Sequence, residues 1–383
     1  MGEGTKLQDM LEKKEVLKLG GGPARIEKQH AAGKLTARER LELLFDPGSF
    51  QEYNIFMKHR CHDFGMEKIS TPAEGVVTGY GLVNGRGVFA FAHDFTVLGG
   101  AMGEMQGMKV KRMQELALDA GLPFVGLNDS GGARIQEGPS TSYGNIFYNN
   151  VMASGVIPQI SAIMGPCAGG TVYSPALTDF ILSVNGTSRS FITGPAVIKN
   201  VTGEIVDAET LGGAKTHNTL SGVSHFFCQD DADCIYKIKR LLSFFPANCR
   251  ELPPVYACND DPNRRCERLN TLVPESLKKA YNIKEIIREI ADEHDFLEVQ
   301  ELYATNIVIG FIRLNGKSVG VVANQPSMLA GCIEINASDK AARFIRTCDC
   351  FNIPLLSIVD VPGYLPGIKQ ELGGIIRHGA KML

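Results

Sequence analysis

The sequence holds no apolar run near the roughly 18 residues that a bilayer-spanning helix needs, so a membrane-embedded protein is not expected. It holds no excess of positive charge either. Its 39 Lys and Arg face 42 Asp and Glu, a net charge of -3, and leave no domain-wide field to hold nucleic acid phosphates. Ten cysteines are present but no C-x-x-C pair occurs among them, which argues against a zinc ribbon. The N-terminal MGEGTKLQDMLEKKEVLKLGG lacks the apolar core of a secretory signal and the acid-poor make-up of a transit peptide. Together these absences predict a cytoplasmic protein with free, mostly buried thiols. Several catalytic signatures are also missing. There is no G-x-x-x-x-G-K-[ST], no G-x-G-x-x-G opening a helix, no G-x-S-x-G and no H-E-x-x-H, which removes the usual phosphate loops, serine hydrolases and zinc proteases. No metal site is expected in this chain.

What the sequence has in excess is glycine. Its 42 glycines are roughly 11% of the chain against a usual ~7%, and many stand in pairs rather than along a flexible linker. The 383 residues suggest two domains. KLQDMLEKKEVLKLG and ARIEKQHAAGKLTARERLELLF read as two amphipathic helices, and His30, Lys34 and Arg38 fall near helical spacing where a phosphate-rich ligand could use them. Strands dominate from Pro72 to Leu98 with a hairpin at Asn84–Gly85. A helix to Ala120, the strand LPFVGL, the strand IPQISAIM and a helix from Thr171 to Val184 follow, an alternation that argues for an α/β fold. The proline-rich, polar stretch 249–274 marks a linker, giving domains at 1–256 and 270–383.

The texture of the first half then returns. A gap-free shift of 231 positions places Gly79 on Gly310, Asn84 on Asn315, Gly85 on Gly316, Gly100 on Gly331, Lys109 on Lys340, Asp129 on Asp360 and Gly132 on Gly363. Matches concentrated at turn residues, where backbone geometry is demanding, point to two copies of one fold. The partner of the turn ending at Gly169 and Gly170 would fall beyond Leu383, so the expectation is an incomplete second copy.

A buried strand running into paired glycines and then a helix occurs at Gly131–Gly132 and at Gly169–Gly170. Such a turn presents backbone N–H groups beside a helix N-terminus, where an anion or a developing oxyanion is stabilised. Ser130 reads as a turn former, and Lys109, within a helix, suits a structural or ion-pairing role.

The segments NDSGGARIQEG, SGVIPQISAIMGPCAGGTVYSPALTDF, FITGPAVIKNVTGE, LGGAKTH, GVVANQPSMLAGCI and VDVPGYLPGIKQELGGIIRHGAK resemble the carboxyltransferase subunits of biotin-dependent acyl-CoA carboxylases. The resemblance is to the propionyl-CoA carboxylase β subunit and equally to the methylmalonyl-CoA decarboxylase α subunit, toward which KHRCHDFGMEK leans. It implies a duplicated crotonase-like (ClpP/crotonase) spiral fold and dimers assembled to a hexamer. It also implies an acyl-CoA substrate, with biotin, as carboxybiotin, arriving on a separate carrier protein or biotin carboxylase subunit. By the same resemblance Gly169 and Gly170 would be the oxyanion amides, Gly131, Gly132, Ala133 and Arg134 the acyl-CoA loop, and Pro362, Gly363, Tyr364 and Gly367 the biotin side. The sodium-pumping decarboxylase, running the transfer in reverse, is the alternative within the fold. A catalytically silent scaffold is the alternative of another class, and a hydratase-type enzyme would have only Glu104 and Glu137 to use.

Overall fold

The computed structural model describes residues 3–138, 142–276 and 279–383. The chain divides into two compact units, one of residues 1–217 and 227–240, the other of residues 218–226 and 241–383. The boundary at Leu241 lies ahead of the polar linker, because Phe244 and Phe245 stack on Phe311, and Phe245 meets Phe351, inside the second unit.

The first unit is built on strands β1 (Gln51–Tyr53), β2 (Val76–Val83), β3 (Arg86–His93), β4 (Phe124–Ser130), β5 (Gln159–Ala168), β6 (Phe180–Val184), β7 (Arg189–Phe191) and β8 (Phe226–Cys228). They form one sheet in the order β1-β2-β3-β4-β5-β6-β8, with β7 pairing the far end of β5. The pairs β1–β2 and β2–β3 are antiparallel, while β3–β4, β4–β5 and β5–β6 are parallel. The inner strands are buried on both faces, which is why β4 and β5 read as continuous apolar runs. Helix Glu104–Ala120 lays Val110, Met113 and Ala117 against Phe89, Phe91 and Phe124, each fully buried side chain worth about 2 kcal/mol.

Two expected elements divide differently. The second N-terminal helix is really two, Pro23–Ala31 and Ala37–Leu44, because Gly33 turns at φ 73° and Thr36 opens a capping box with Glu39. The helix expected from Thr171 to Val184 stops at Leu177. Residues 180–184 form β6, whose parallel pairing with β5 outweighs any helical preference of that short apolar run.

The second unit repeats the plan with β9 (Leu297–Val299), β10 (Ile307–Leu314), β11 (Lys317–Asn324) and β12 (Leu355–Ile358), in sheet order β12-β11-β10-β9. Strands β10, β11 and β12 each begin 231 residues after β2, β3 and β4. The turn dihedrals repeat as well: φ is 51° and 75° at Asn84 and Gly85, and 50° and 75° at Asn315 and Gly316. Lys109 and Lys340 are both buried and both donate to main-chain carbonyls, Lys109 to Ala73 and Val76, Lys340 to Ala304, Ile307, Gln300 and Tyr303. This is the duplicated crotonase-like fold. No helix among the described residues is long and apolar enough to cross a membrane.

Candidate functional site

Strands β4 and β5 run side by side and each ends in a glycine turn. Beneath those ends lies Asp129, fully buried. It accepts hydrogen bonds from Lys34 Nζ at 2.9 and 3.0 Å, Arg40 Nη1 at 3.0 Å and Gln29 Nε2 at 3.0 Å. Arg40 reaches on to Asp231 at 2.7 Å. A Cβ on Gly165 would collide with the Asp129 carboxylate, so glycine is required where β5 passes it. The network ties the helices Pro23–Ala31 and Ala37–Leu44 to the sheet at the level of the turns. Removing one partner of such a buried pair costs on the order of 3 to 5 kcal/mol.

At the end of β5, Gly169 takes φ 60° and Gly170 begins the helix Gly170–Leu177. The Gly169 N–H reaches the Phe191 carbonyl at a long 3.4 Å. The Gly170 N–H finds no protein acceptor among the described residues, as the first position of a helix allows. A Cβ on Gly170 would come within 2.9 Å of the Tyr143 ring. That ring is partly exposed and packs on Phe147, while its buried hydroxyl has no hydrogen-bond partner among the described residues; burial raises the hydroxyl pKa and keeps the group neutral.

The β4 turn is held by its own backbone: Gly131 N–H donates to Gly99, Met102 N–H to Gly132, and Arg134 N–H back to Met102. Ala133 pairs with Met102 as an isolated bridge, yet its N–H meets no acceptor among the described residues. A Cβ on Gly132 would lie 3.2 Å from the Ala168 carbonyl, so the two turns adjoin. The Arg134 side chain is buried. It pairs with Glu74 at 2.7 Å and Glu137 at 2.6 Å, so it braces the loop rather than offering itself to a ligand. The same pairing occupies Glu137, which also accepts the Glu104 N–H, while Glu104 is exposed beside Arg60. These two glutamates therefore do not form an acid-base pair.

Next to the β5 end opens a cavity of about 640 Å³ lined by Phe95, Leu98, Pro166 and Thr187 and by the cations Arg25, Lys28, Lys34 and Arg189, with no acid among its lining residues. Lys34 lies over the Phe95 ring at 4.2 Å. Lys28 has no acidic partner among the described residues. Of the three residues noted for helical spacing, only Lys34 reaches this cavity. His30 pairs with Glu39 and Arg38 with Glu52, since each lies closer to a carboxylate than to the opening.

In the second unit the loop Pro362–Leu365 copies Gly131–Arg134: Ile333 N–H donates to Gly363 and Leu365 N–H to Ile333. Gly363 (φ 148°) and Gly367 (φ 143°) have nothing within 4 Å of a would-be Cβ, and Tyr364 is half exposed. Gly379 admits the Tyr364 ring, its missing Cβ falling 2.7 Å from the hydroxyl. The loop thus offers open backbone at Gly363 and Gly367 and a half-exposed Tyr364 ring. Among the described residues no group of three or more His, Cys, Asp or Glu converges as a metal site. Sequence reasoning met Asp129 only as a repeat position and did not find Tyr143 or Glu74. Asp129 and Glu74 act through partners far away in the chain, and no local pattern signals them.

The carboxyl transferase domain family matches residues 28–383. The methylmalonyl-CoA decarboxylase subunit alpha of Propionigenium modestum is 59% identical over 380 residues, 99% of this chain and 74% of that protein. The propionyl-CoA carboxylase beta chain of Cereibacter sphaeroides is 54% identical over 379 residues, 98% and 74%. Among solved structures, the transcarboxylase 12S hexamer with hydrolysed methylmalonyl-coenzyme A bound aligns with a TM-score of 0.97 at 53% identity, covering 100% of this chain and 74% of that one.

Proposed function

This chain belongs to the carboxyl transferase domain family, and from that premise we propose that it moves a carboxyl group between biotin on a partner protein and the α-carbon of propionyl-CoA or methylmalonyl-CoA. The observation that carries the mechanism is the unpartnered Gly170 N–H at a helix N-terminus, with the equally free Ala133 N–H on the adjoining turn. When the α-carbon loses its proton or its carboxylate, the thioester oxygen becomes an enolate, and fixed amides aimed at that oxygen lower the barrier. Gly169 adds its N–H by giving up the long bond to Phe191, so Gly169 and Gly170 act together. The Gly170 amide has no bond to give up, and the Gly169 amide exchanges only a long one, which is why backbone donors at a strand end serve the purpose.

The cavity beside β5 takes the coenzyme A phosphates. Arg25 and Lys28 supply positive charge, joined by Arg189, which is shared with Glu209 at 2.9 Å, and Phe95 and Leu98 supply an apolar wall. In the second unit, Pro362, Gly363, Tyr364 and Gly367 hold the planar ureido ring of biotin. Biotin supplies the transferable carboxyl group and a ureido nitrogen able to exchange the α-proton. We place the protein in the cytoplasm, with dimers assembled to a hexamer, as the transcarboxylase 12S core is a hexamer.

A second reading, net decarboxylation of methylmalonyl-CoA, is favoured by the higher identity to the decarboxylase subunits. It uses the same enolate and the same residues.

The test is carboxyl transfer from a carboxylated biotin carrier to propionyl-CoA, run in both directions. Lys28→Glu puts a carboxylate into the phosphate cavity and should raise KM for propionyl-CoA about tenfold while leaving kcat within about threefold. An unchanged KM would remove the cavity from the coenzyme site.

A further inference from the structure

The two copies of the fold give an internal control. Both hold a strained turn before their first long strand, with Ala73 at φ 49° and Glu74 at φ 56° in one copy and Ala304 at φ 43° in the other. In both, a buried lysine gathers the turn's carbonyls: Lys109 with Ala73 and Val76, Lys340 with Ala304 and Ile307. In both, the glycine loop after the third strand of the repeat is stitched by the same backbone pair, 2.8 and 2.8 Å about Met102, 3.1 and 2.8 Å about Ile333. The scaffold is thus equally well made in each.

One feature is present in the first copy only. Glu74 is wholly buried, accepts from Thr71 Oγ1 at 2.6 Å and from Arg134 Nη1 at 2.7 Å, and Arg134 also binds Glu137 at 2.6 Å and the Ala101 carbonyl at 3.0 Å. The positions equivalent to Glu74, Arg134 and Glu137 in the second copy are Thr305, Leu365 and Ile368. Neither the loop's backbone stitching nor the lysine anchor needs the ion pair, since the second copy keeps both without it.

The helix caps differ in the same way. Helix Ile335–Cys350 is capped by Glu334 itself. Helix Glu104–Ala120 has Gly103 at that position and borrows the Glu137 carboxylate, with no room for a Cβ beside Arg134 and Glu137. The loops differ too: the first copy has Gly131 where the second has Pro362. Proline fixes φ, whereas two successive glycines leave a loop free to wander unless a side chain beyond them pins it. Arg134 is the first side chain after those glycines able to do so, and its planar fork spans three acceptors on separate elements.

We propose that Glu74 is a positioning residue for acyl-CoA: through Arg134 it locks the loop Gly131–Arg134, and with it the free Ala133 amide, in the conformation that receives the thioester. The proposal rests on the reading of this loop as the acyl-CoA side. It assigns the Glu74–Arg134–Glu137 chain to substrate handling and not to fold stability, because the equivalent loop in the second unit is held without it.

The test transplants the second copy's pair into the first, as Glu74→Thr with Arg134→Leu in the full chain, on a background of Glu137→Gln so that no carboxylate is left buried without its cation. Replacing a buried ion pair by well-packed apolar groups of similar volume is often tolerated by the fold. The expected result is a thermal midpoint close to wild type, a KM for propionyl-CoA raised at least tenfold, kcat within about threefold, and an unchanged KM for the carboxylated biotin carrier. Unchanged KM for both substrates overturns the proposal, as does a parallel rise in both accompanied by a lower thermal midpoint. Should that variant fail to fold, Glu74→Gln and Arg134→Lys decide. Arg134→Lys should raise KM for propionyl-CoA about tenfold and Glu74→Gln a few-fold, and values within twofold of wild type in both variants overturn the proposal. A wild-type protein with no carboxyl transfer would instead sink the underlying functional reading.

Discussion

His93 closes β3 with its imidazole buried and neither ring nitrogen hydrogen-bonded among the described residues. Burial depresses its pKa from 6.5 to about 4, with Arg40 adding to the effect and Asp129 opposing it. The unfolded chain therefore holds this proton between pH 4 and 6.5 when the folded chain does not, so stability rises with pH across that window and is lost on acidification. The loss amounts to about 2 to 3 kcal/mol by pH 4.5. Urea unfolding at pH 7 and pH 4.5 should show this difference in the wild type and a smaller one in His93→Phe, and equal pH dependence in the two proteins would remove His93 as the cause. At this scale the sequence is least legible. An isolated histidine reads as an ordinary core or surface residue, and only its placement beside the Arg40–Asp129 pair gives it a titration of interest.

The hairpins are the elements most plainly written in the sequence, because Asn-Gly at φ above zero is the dipeptide that a two-residue turn requires. Each is clamped by a distant carboxylate: Asp46 accepts the N–H groups of Asn84 and Gly85, and Asp292 those of Asn315 and Gly316. The turns are alike but their surroundings are not. A Cβ on Gly85 meets nothing within 4 Å, whereas one on Gly316 runs into the Tyr256 carbonyl. Gly85→Ala should cost only the backbone penalty, about 1 kcal/mol, and Gly316→Ala at least 1 to 2 kcal/mol more, read by chemical denaturation. Equal costs would mean that Tyr256 can move aside. Other elements hid from the sequence for a physical reason. The apolar run of β6 has no period to separate strand from helix, and its parallel partner β5 decides. The break before Ala37 is set by Thr36 and Glu39 satisfying each other's backbone donors, a capping signal outweighed by the amphipathic pattern on either side.

For the whole molecule, the gap-free shift of 231 residues anticipated the starts of β10, β11 and β12 and the repeated glycine loops, since turn geometry conserves residue type where packing does not. What the shift could not reveal is where the copies diverge. The buried charges Lys34, Arg40, Asp129 and Asp231 come from three separated stretches, and the Glu74–Arg134 pair spans 60 residues. Such long-range partners carry no local period, yet they fix the level and stiffness of the turns that the mechanism uses.

Of the amides that mechanism uses, the Gly170 N–H is the central one. Replacing residue 170 by glycolic acid turns its amide into an ester, deleting the donor without adding a Cβ against Tyr143. Single-turnover transfer of carboxyl from the biotin carrier to saturating propionyl-CoA should then slow by about 100- to 1000-fold with propionyl-CoA affinity within a few-fold of wild type. A rate within threefold of wild type would contradict the account.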